Sequence, residues 1–336
     1  MQKKLRVSIL IILIIIGIVQ FTNCTKFIGK DTRFVLIRDN LYGYMNAQGD
    51  TIIEPQFDYA YKFSEGFATV VIDEKYGFID DRGHLTLTPQ FDKVGSFSEG
   101  LAFFQNDDDY GYVDKNAKVK ILARFQDASD FSEGLALVAV SDRYGYIDKK
   151  GTFIINPRFE DKWGYRPHSF SEGLALVGVD GKYGYIDKKG NFVIKSQYQH
   201  ASSFSEGLAY IEDLENEIFG FINPKNELVI NKKYVATNKF SLGLAAVKED
   251  DHFGYINKSG MYIIEPLFDY AADFTEGVAC VSIDERWGFI RQDGTWLINP
   301  LYKKGNSFNN GLACVLNNDG DWVYINRNGK PVQYLK

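Results

Sequence analysis

The chain has 336 residues, 45% of them hydrophobic and 24% charged, with a formal net charge of −6. That balance carries enough apolar surface for a packed core and excludes a disordered chain. An acidic sequence without a basic tract also excludes nucleic acid as a partner, because phosphate recognition needs clustered Lys and Arg.

At the amino terminus, Lys3, Lys4 and Arg6 precede an apolar run from Val7 to Val19. The run is short of the ~20 residues a membrane-spanning helix needs, so residues 1–23 read as a secretory signal peptide. The segment ends in Phe21-Thr22-Asn23-Cys24, which resembles a bacterial lipobox with Phe21 and Asn23 as departures. The resemblance implies lipidation at Cys24; the alternative is a plain signal or uncleaved anchor with an incidental cysteine. Residues 24–33 then form a short linker, and 34–336 a single repeat domain. The expected location is the bacterial cell envelope, on its periplasmic or surface face, with the membrane reached through the anchor.

From Phe34 onward the chain repeats itself. Aromatic-Gly-aromatic triplets centre on Gly43, Gly77, Gly111, Gly145, Gly184, Gly220, Gly254 and Gly288, in steps of 34, 34, 34, 39, 36, 34 and 34 residues, and Val323 takes the ninth slot after 35 more. A Phe-Ser-Glu-Gly turn keeps the same beat, from Gly66 to Gly311. Its glycine suggests positive φ. The alanine two residues later, Ala68 through Ala313, implies a close neighbour, and the aromatic fourteen residues after each triplet glycine, Phe57 through Tyr302, implies a core position.

These motifs resemble the WG-containing (KWG) repeat family over residues 34 to 336, although only Trp287-Gly288 keeps the literal Trp-Gly pair. The resemblance implies a tandem β structure and little defined chemistry. Each unit reads as three strands, illustrated by Leu174 to Val179, Tyr183 to Asp187 and Phe192 to Ile194, with prolines such as Pro55 and Pro157 ending the third. Period-2 alternation leaves both faces of each sheet apolar, so neighbours must cover both. Nine units exceed the usual 4 to 8 propeller blades, and no strand is visibly exchanged between the termini. The expectation is therefore an all-β array of nine three-stranded repeats stacked face to face, open and superhelical rather than a closed ring. Ala117, where other units have glycine, should loosen its turn.

The residues offer little for catalysis, and no cofactor is expected. His84, His168, His200 and His252 share no repeat position and no metal-ligand spacing. The turn glutamates, such as Glu65 and Glu172, recur too often for acid/base work and should bond local backbone N–H groups. Cys280 and Cys314 lie one period apart, read as small buried side chains, with a disulfide as the alternative. Carboxylate density alone makes Asp107, Asp108 and Asp109 a weak calcium candidate. Acidic turns between strands one and two and lysine-bearing turns between strands two and three should give one acidic and one more basic rim, unless they are ordinary turn chemistry.

Irregularity is the better pointer, because insertions in repeat arrays map to loops. The 39-residue step arises around Lys162-Trp163-Gly164-Tyr165-Arg166-Pro167-His168. Trp163, Tyr165, Arg166 and His168 are the expected partner-binding residues, since aromatics and Arg dominate interface hot spots; the bland reading is Trp163 folded over an apolar edge. The acidic insertion from Glu212 to Glu217 is a weaker candidate. The chain is thus expected to be a non-enzymatic envelope scaffold that binds a protein or peptide. The alternative is glycan or peptidoglycan binding through exposed aromatic rings.

Overall fold

A computed structural model describes residues 32–161 and 164–335. The expected signal peptide and Cys24 lie outside them. The chain forms nine antiparallel sheets in sequence order. The first contains β1 (Phe34–Arg38), β2 (Leu41–Met45) and β3 (Thr51–Phe57); the second contains β4 (Tyr59–Ala60), β5 (Phe67–Ile72), β6 (Lys75–Asp80) and β7 (Leu85–Phe91). Sheets three to nine occupy 93–125, 127–160, 174–198, 200–231, 236–268, 270–302 and 304–335.

Two expectations are overturned here. Seven of the nine sheets have four strands, not three. The extra strand is a two-residue piece such as β4, which pairs with the middle of β5 through Tyr59–Val71 and Ala60–Val70 and is too short to show a period. The array also closes into a nine-bladed propeller ring rather than winding open. Nine apolar cores fill nine joints between consecutive blades, and the ninth joins Leu312 of the last blade to Phe34, Leu36 and Met45 of the first. No exchanged strand is needed, because each face is covered by the next blade's side chains.

Within a blade, the triplet glycine answers to a bulge. Tyr42 pairs with Phe57 and Tyr44 with Ile53, so three residues of β3 face Gly43 alone. A Cβ on Gly43 would lie 2.4 Å from the Ile53 carbonyl oxygen. Pro55 sits in this bulge, out of the ladder, and β3 runs on to Phe57; the prolines therefore do not end the third strand as expected. The Ser-Glu-Gly turn has positive φ at both central residues, 52° at Glu65 and 88° at Gly66, the geometry of a tight type I′ hairpin. Ala117 does not loosen its turn: it adopts φ 60° and keeps the same backbone bonds, Ala117 N–H to the Asp114 carbonyl at 2.9 Å.

Between blades, apolar packing is joined by three recurring polar ties. The eight alanines after the turns are at most 1% exposed. Tyr44, Tyr112, Tyr146, Tyr185 and Tyr255, all buried, donate their hydroxyls at 2.7–2.8 Å to carbonyls of the next blade's inner link. Where Phe78 replaces Tyr, Thr69 Oγ1 makes the corresponding bond, to the Gly95 carbonyl at 3.1 Å. The turn hydroxyls of Ser64, Ser98, Ser132, Ser171, Ser205, Ser241 and Thr275 donate to the Phe carbonyl one period on, at 2.6–3.0 Å.

The turn glutamates supply the third tie. Their carboxylates accept the N–H of the next blade's turn glycine at 2.8–3.1 Å, for Glu65, Glu99, Glu133, Glu172, Glu206 and Glu276. They are structural, but they reach one period forward and not to local N–H groups. Lys115, Lys149, Lys188, Lys258 and Arg327 pair with five of these carboxylates at 3.0–3.2 Å. Pro224 holds the cation position facing Glu172; where Leu242 replaces Glu, Gln292 donates instead to the Leu242 carbonyl at 2.7 Å. The lysines of the expected basic rim are thus largely balanced by glutamates on the same face. The opposite hairpins keep their acidic residues at left-handed positions such as Asp73, Asp107 and Asp250, which Asp tolerates better than most side chains.

Removing one buried hydroxyl should be measurable. Tyr185→Phe orphans the Ser202 carbonyl and should cost about 1–2 kcal/mol in urea unfolding, while circular dichroism stays unchanged; no loss would deny the tyrosine its role in the joint. The glutamates predict an acid limb. Burial raises the Glu65, Glu99 and Glu206 carboxyls, but their lysine partners and the turn N–H groups outweigh it and hold all three below the ordinary range. A depressed carboxylate contributes stability above its unfolded value, near 4.3, and that stability is lost as pH falls further. Asp130 and Asp273, raised by burial, act in the opposite sense. The urea midpoint should therefore fall as the pH drops from 5 to 3 (about two units), and Glu206→Gln should flatten that limb; identical curves would remove the glutamates from the account.

Candidate partner-binding site

The insertion enters the fifth blade where other blades place their two-residue strand. The His168 N–H reaches the Leu176 carbonyl at 2.9 Å, as the Tyr61 N–H reaches Thr69 in the second blade. From Gly164 to His168 the chain takes a different path. Tyr165 crosses the Leu174–Val179 strand at Gly178, where a Cβ would lie 2.4 Å from the Tyr165 Cβ. Gly178 occupies the register position of Val71 in the second blade, so the strand gives up a side chain to admit the insertion. The Tyr165 ring then packs 4.8 Å from Tyr183, whose hydroxyl donates to the Gly164 carbonyl at 3.0 Å.

Arg166 is pinned. Its Nη2 lies 2.6 Å from Asp127 Oδ2, and the guanidinium sits 5.4 Å over the Tyr144 ring. Tyr144 donates to the same carboxylate oxygen at 2.8 Å, and burial together with Asp127 pushes its hydroxyl up to about 12. His168 accepts the Tyr146 hydroxyl on its carbonyl, and its Nδ1 lies 3.1 Å from Ser203 Oγ. Desolvation and the nearby Arg166 charge lower its imidazole below the ordinary value. This Ser–His contact lacks a third group: among the described residues no carboxylate bonds the other ring nitrogen. Tyr165, Arg166 and His168 are thus brought to one edge, and Trp163 lies outside the described residues.

Three open clefts flank this segment. One, of ≈ 460 Å³, lies between Asp127, Asp142, Arg143 and Asp161. A second, of ≈ 270 Å³, is bounded by Arg158, Tyr165 and Asp180, and a third, of ≈ 480 Å³, by Arg166, His168 and Ser203. Arg143 is held by Glu160 at 3.1 Å, so the carboxylates of Asp142 and Asp161 set the sign of the first cleft, while in the second Arg158 offsets Asp180. The arrangement offers an aromatic floor, one fixed guanidinium and a negative rim, which suits a segment bearing basic side chains.

The remaining candidates fall elsewhere. Asp107 lies in a hairpin turn with its N–H bonded to Asp92 Oδ2 at 2.8 Å, and among the described residues no group of three acidic, His or Cys side chains converges on a point that could hold a metal. The Glu212 to Glu217 insertion folds on itself, with buried Asp213 accepting from Glu215 and Asn216. Cys280 and Cys314 are both free thiols. Sequence reasoning missed a file of four tyrosines, Tyr42, Tyr59, Tyr61 and Tyr76, with successive ring centroids 4.6, 5.0 and 6.3 Å apart. The alternation of Tyr59 and Tyr61 about Ala60 was the available signal.

Among curated proteins none matches this chain. Solved structures that this chain matches include a eukaryotic initiation factor (11% identity, TM-score 0.47, covering 90% of this chain and 84% of that one). Others are BamB from Moraxella catarrhalis (12%, 0.43, 79% and 89%) and Hsv2p from Kluyveromyces lactis (11%, 0.42, 68% and 91%). At this distance nothing about the neighbours' own roles transfers. The WG containing repeat model matches residues 42–76, 76–108, 110–143, 144–183, 183–213, 219–251, 253–287 and 287–320. Eight consecutive matches across the bladed region make the chain a member of the WG containing repeat family.

Proposed function

We propose that this protein is a non-enzymatic scaffold, exported and held at the cell envelope by a lipid on Cys24, that binds a basic segment of a protein or peptide partner at the edge of its fifth blade. One observation carries the reading: the irregular blade presents Tyr165 and a pinned Arg166 beside a cleft whose rim is acidic. Fixed side chains lose little entropy on binding, which favours them as anchors. The repeat aromatics support a protein partner over a glycan, because the second ring of each triplet is buried, as with Tyr112 and Tyr185 at 0% exposure, and cannot stack on sugars.

A second reading keeps one specific observation. Tyr59 and Tyr61 are 44% and 39% exposed within the tyrosine file, and a short row of open rings suits a glycan. The two readings separate in one binding experiment. Immobilised protein is offered lysine-rich peptides, acidic peptides of equal length and soluble peptidoglycan fragments. The protein reading expects binding of the basic peptides alone, weakened about tenfold or more by the double substitution Tyr165→Ala and Asp142→Asn and unchanged by Tyr59→Ala. Binding of peptidoglycan fragments that Tyr59→Ala abolishes would replace it with the glycan reading. Loss of signal peptide cleavage and of lipid labelling in Cys24→Ser cells would support the anchor.

A further inference from the structure

The joint that closes the ring is built differently from the other eight. Its core holds four buried apolar residues, against seven or more at every other joint. The turn position that carries a glutamate in most blades is Asn310 in the ninth, and the position that carries its cation is Ala47 in the first. No carboxylate–cation tie is therefore available at that place in this joint.

A second departure lies one residue past the turn. Eight blades place an apolar side chain there: Phe67, Leu101, Leu135, Leu174, Leu208, Leu244, Val278 and Leu312. The first blade places Arg33. Its Nε is buried and has no hydrogen-bond partner, and among the described residues neither Arg33 nor Lys62 makes an ion pair or hydrogen bond. A buried guanidinium nitrogen without a partner is costly, so a charge at a position the array otherwise keeps apolar needs a reason.

Both cations border one cleft of ≈ 310 Å³, open at the seam between the ninth, first and second blades. Asn306, Ser307, Asn309 and Asn310 line the same cleft and add neutral amide and hydroxyl donors; among the described residues no Asp or Glu lines it. A guanidinium fork, an ammonium and a set of neutral donors around a pocket of this size form a site for a carboxylate or phosphate group. We infer that the ring seam is an oxyanion-binding site, with Arg33 as its fork and Lys62 as its second charge, and that an anion there completes the joint that lacks the array's own glutamate tie. The assignment stands apart from the fifth-blade site, from which it shares no residue.

The array itself supplies the test variant, because Arg33→Leu installs the residue found at six of the eight equivalent positions. Titration calorimetry on the folded protein at constant ionic strength uses two probes, sodium succinate and inorganic phosphate. Saturable one-to-one binding of at least one probe is expected, the stronger of the two telling carboxylate from phosphate. Arg33→Leu should weaken it about tenfold or more, and Lys62→Met by a smaller factor, while the probe-free melting temperature of Arg33→Leu stays equal or rises. Two results would overturn the site: neither anion binding saturably, or equal affinity in Arg33→Leu.

Discussion

Everything in this molecule follows from a sheet that is apolar on both faces. A three- or four-stranded blade of about 34 residues buries too little by itself, so each face has to meet another blade. The residues that recur are those that make the meeting close and satisfied. Alanines let the backbones approach, the triplet glycine makes room for the bulge beside it, and the second ring of the triplet fills the gap while its hydroxyl reaches a carbonyl of the neighbour. Burial sends the hydroxyls of Tyr112 and Tyr185 far above the ordinary phenol value, which keeps them as neutral donors across the working pH range.

The polar ties divide the labour. Tyrosine hydroxyls and turn serines satisfy carbonyls that would otherwise be buried without a partner, a direct contribution to stability. The glutamate ties lie nearer solvent, where ion pairs contribute little individually; their backbone half, carboxylate to turn N–H, fixes the spacing of successive turns. Substitutions within the array keep this logic. Thr69 stands in for a missing tyrosine hydroxyl, and Gln292 accompanies the loss of a glutamate at Leu242.

Much of the blade was legible in the residues, because positive φ, small-residue contact and aromatic packing each leave a one-residue signature that repetition amplifies. The fourth strand was not, since two residues such as Tyr59 and Ala60 carry no period. Pro55 misled for a related reason: proline usually stops a ladder, yet a bulge takes it out of hydrogen-bonding register and lets the strand continue. Closure was hidden because it depends on the summed rotation between blades, which no single residue records. The glutamates were correctly read as structural, but their reach to the next blade is a tertiary fact. At the candidate site, the five-residue irregularity marked the segment that departs from the blade pattern; the partners that pin Arg166, Asp127 and Tyr144, lie a blade earlier and had no signature of their own.

The central claim is that both faces of every blade are covered, the first and last blades included. Native-state hydrogen exchange measures it directly, since an end blade with a bare face frays at a lower free energy than one in the middle. A closed ring predicts that amides of the first blade, such as Leu36 and Tyr44, and of the ninth, such as Val315 and Val323, exchange with the slow core of the central blades. Protection that declines stepwise toward both ends would contradict it.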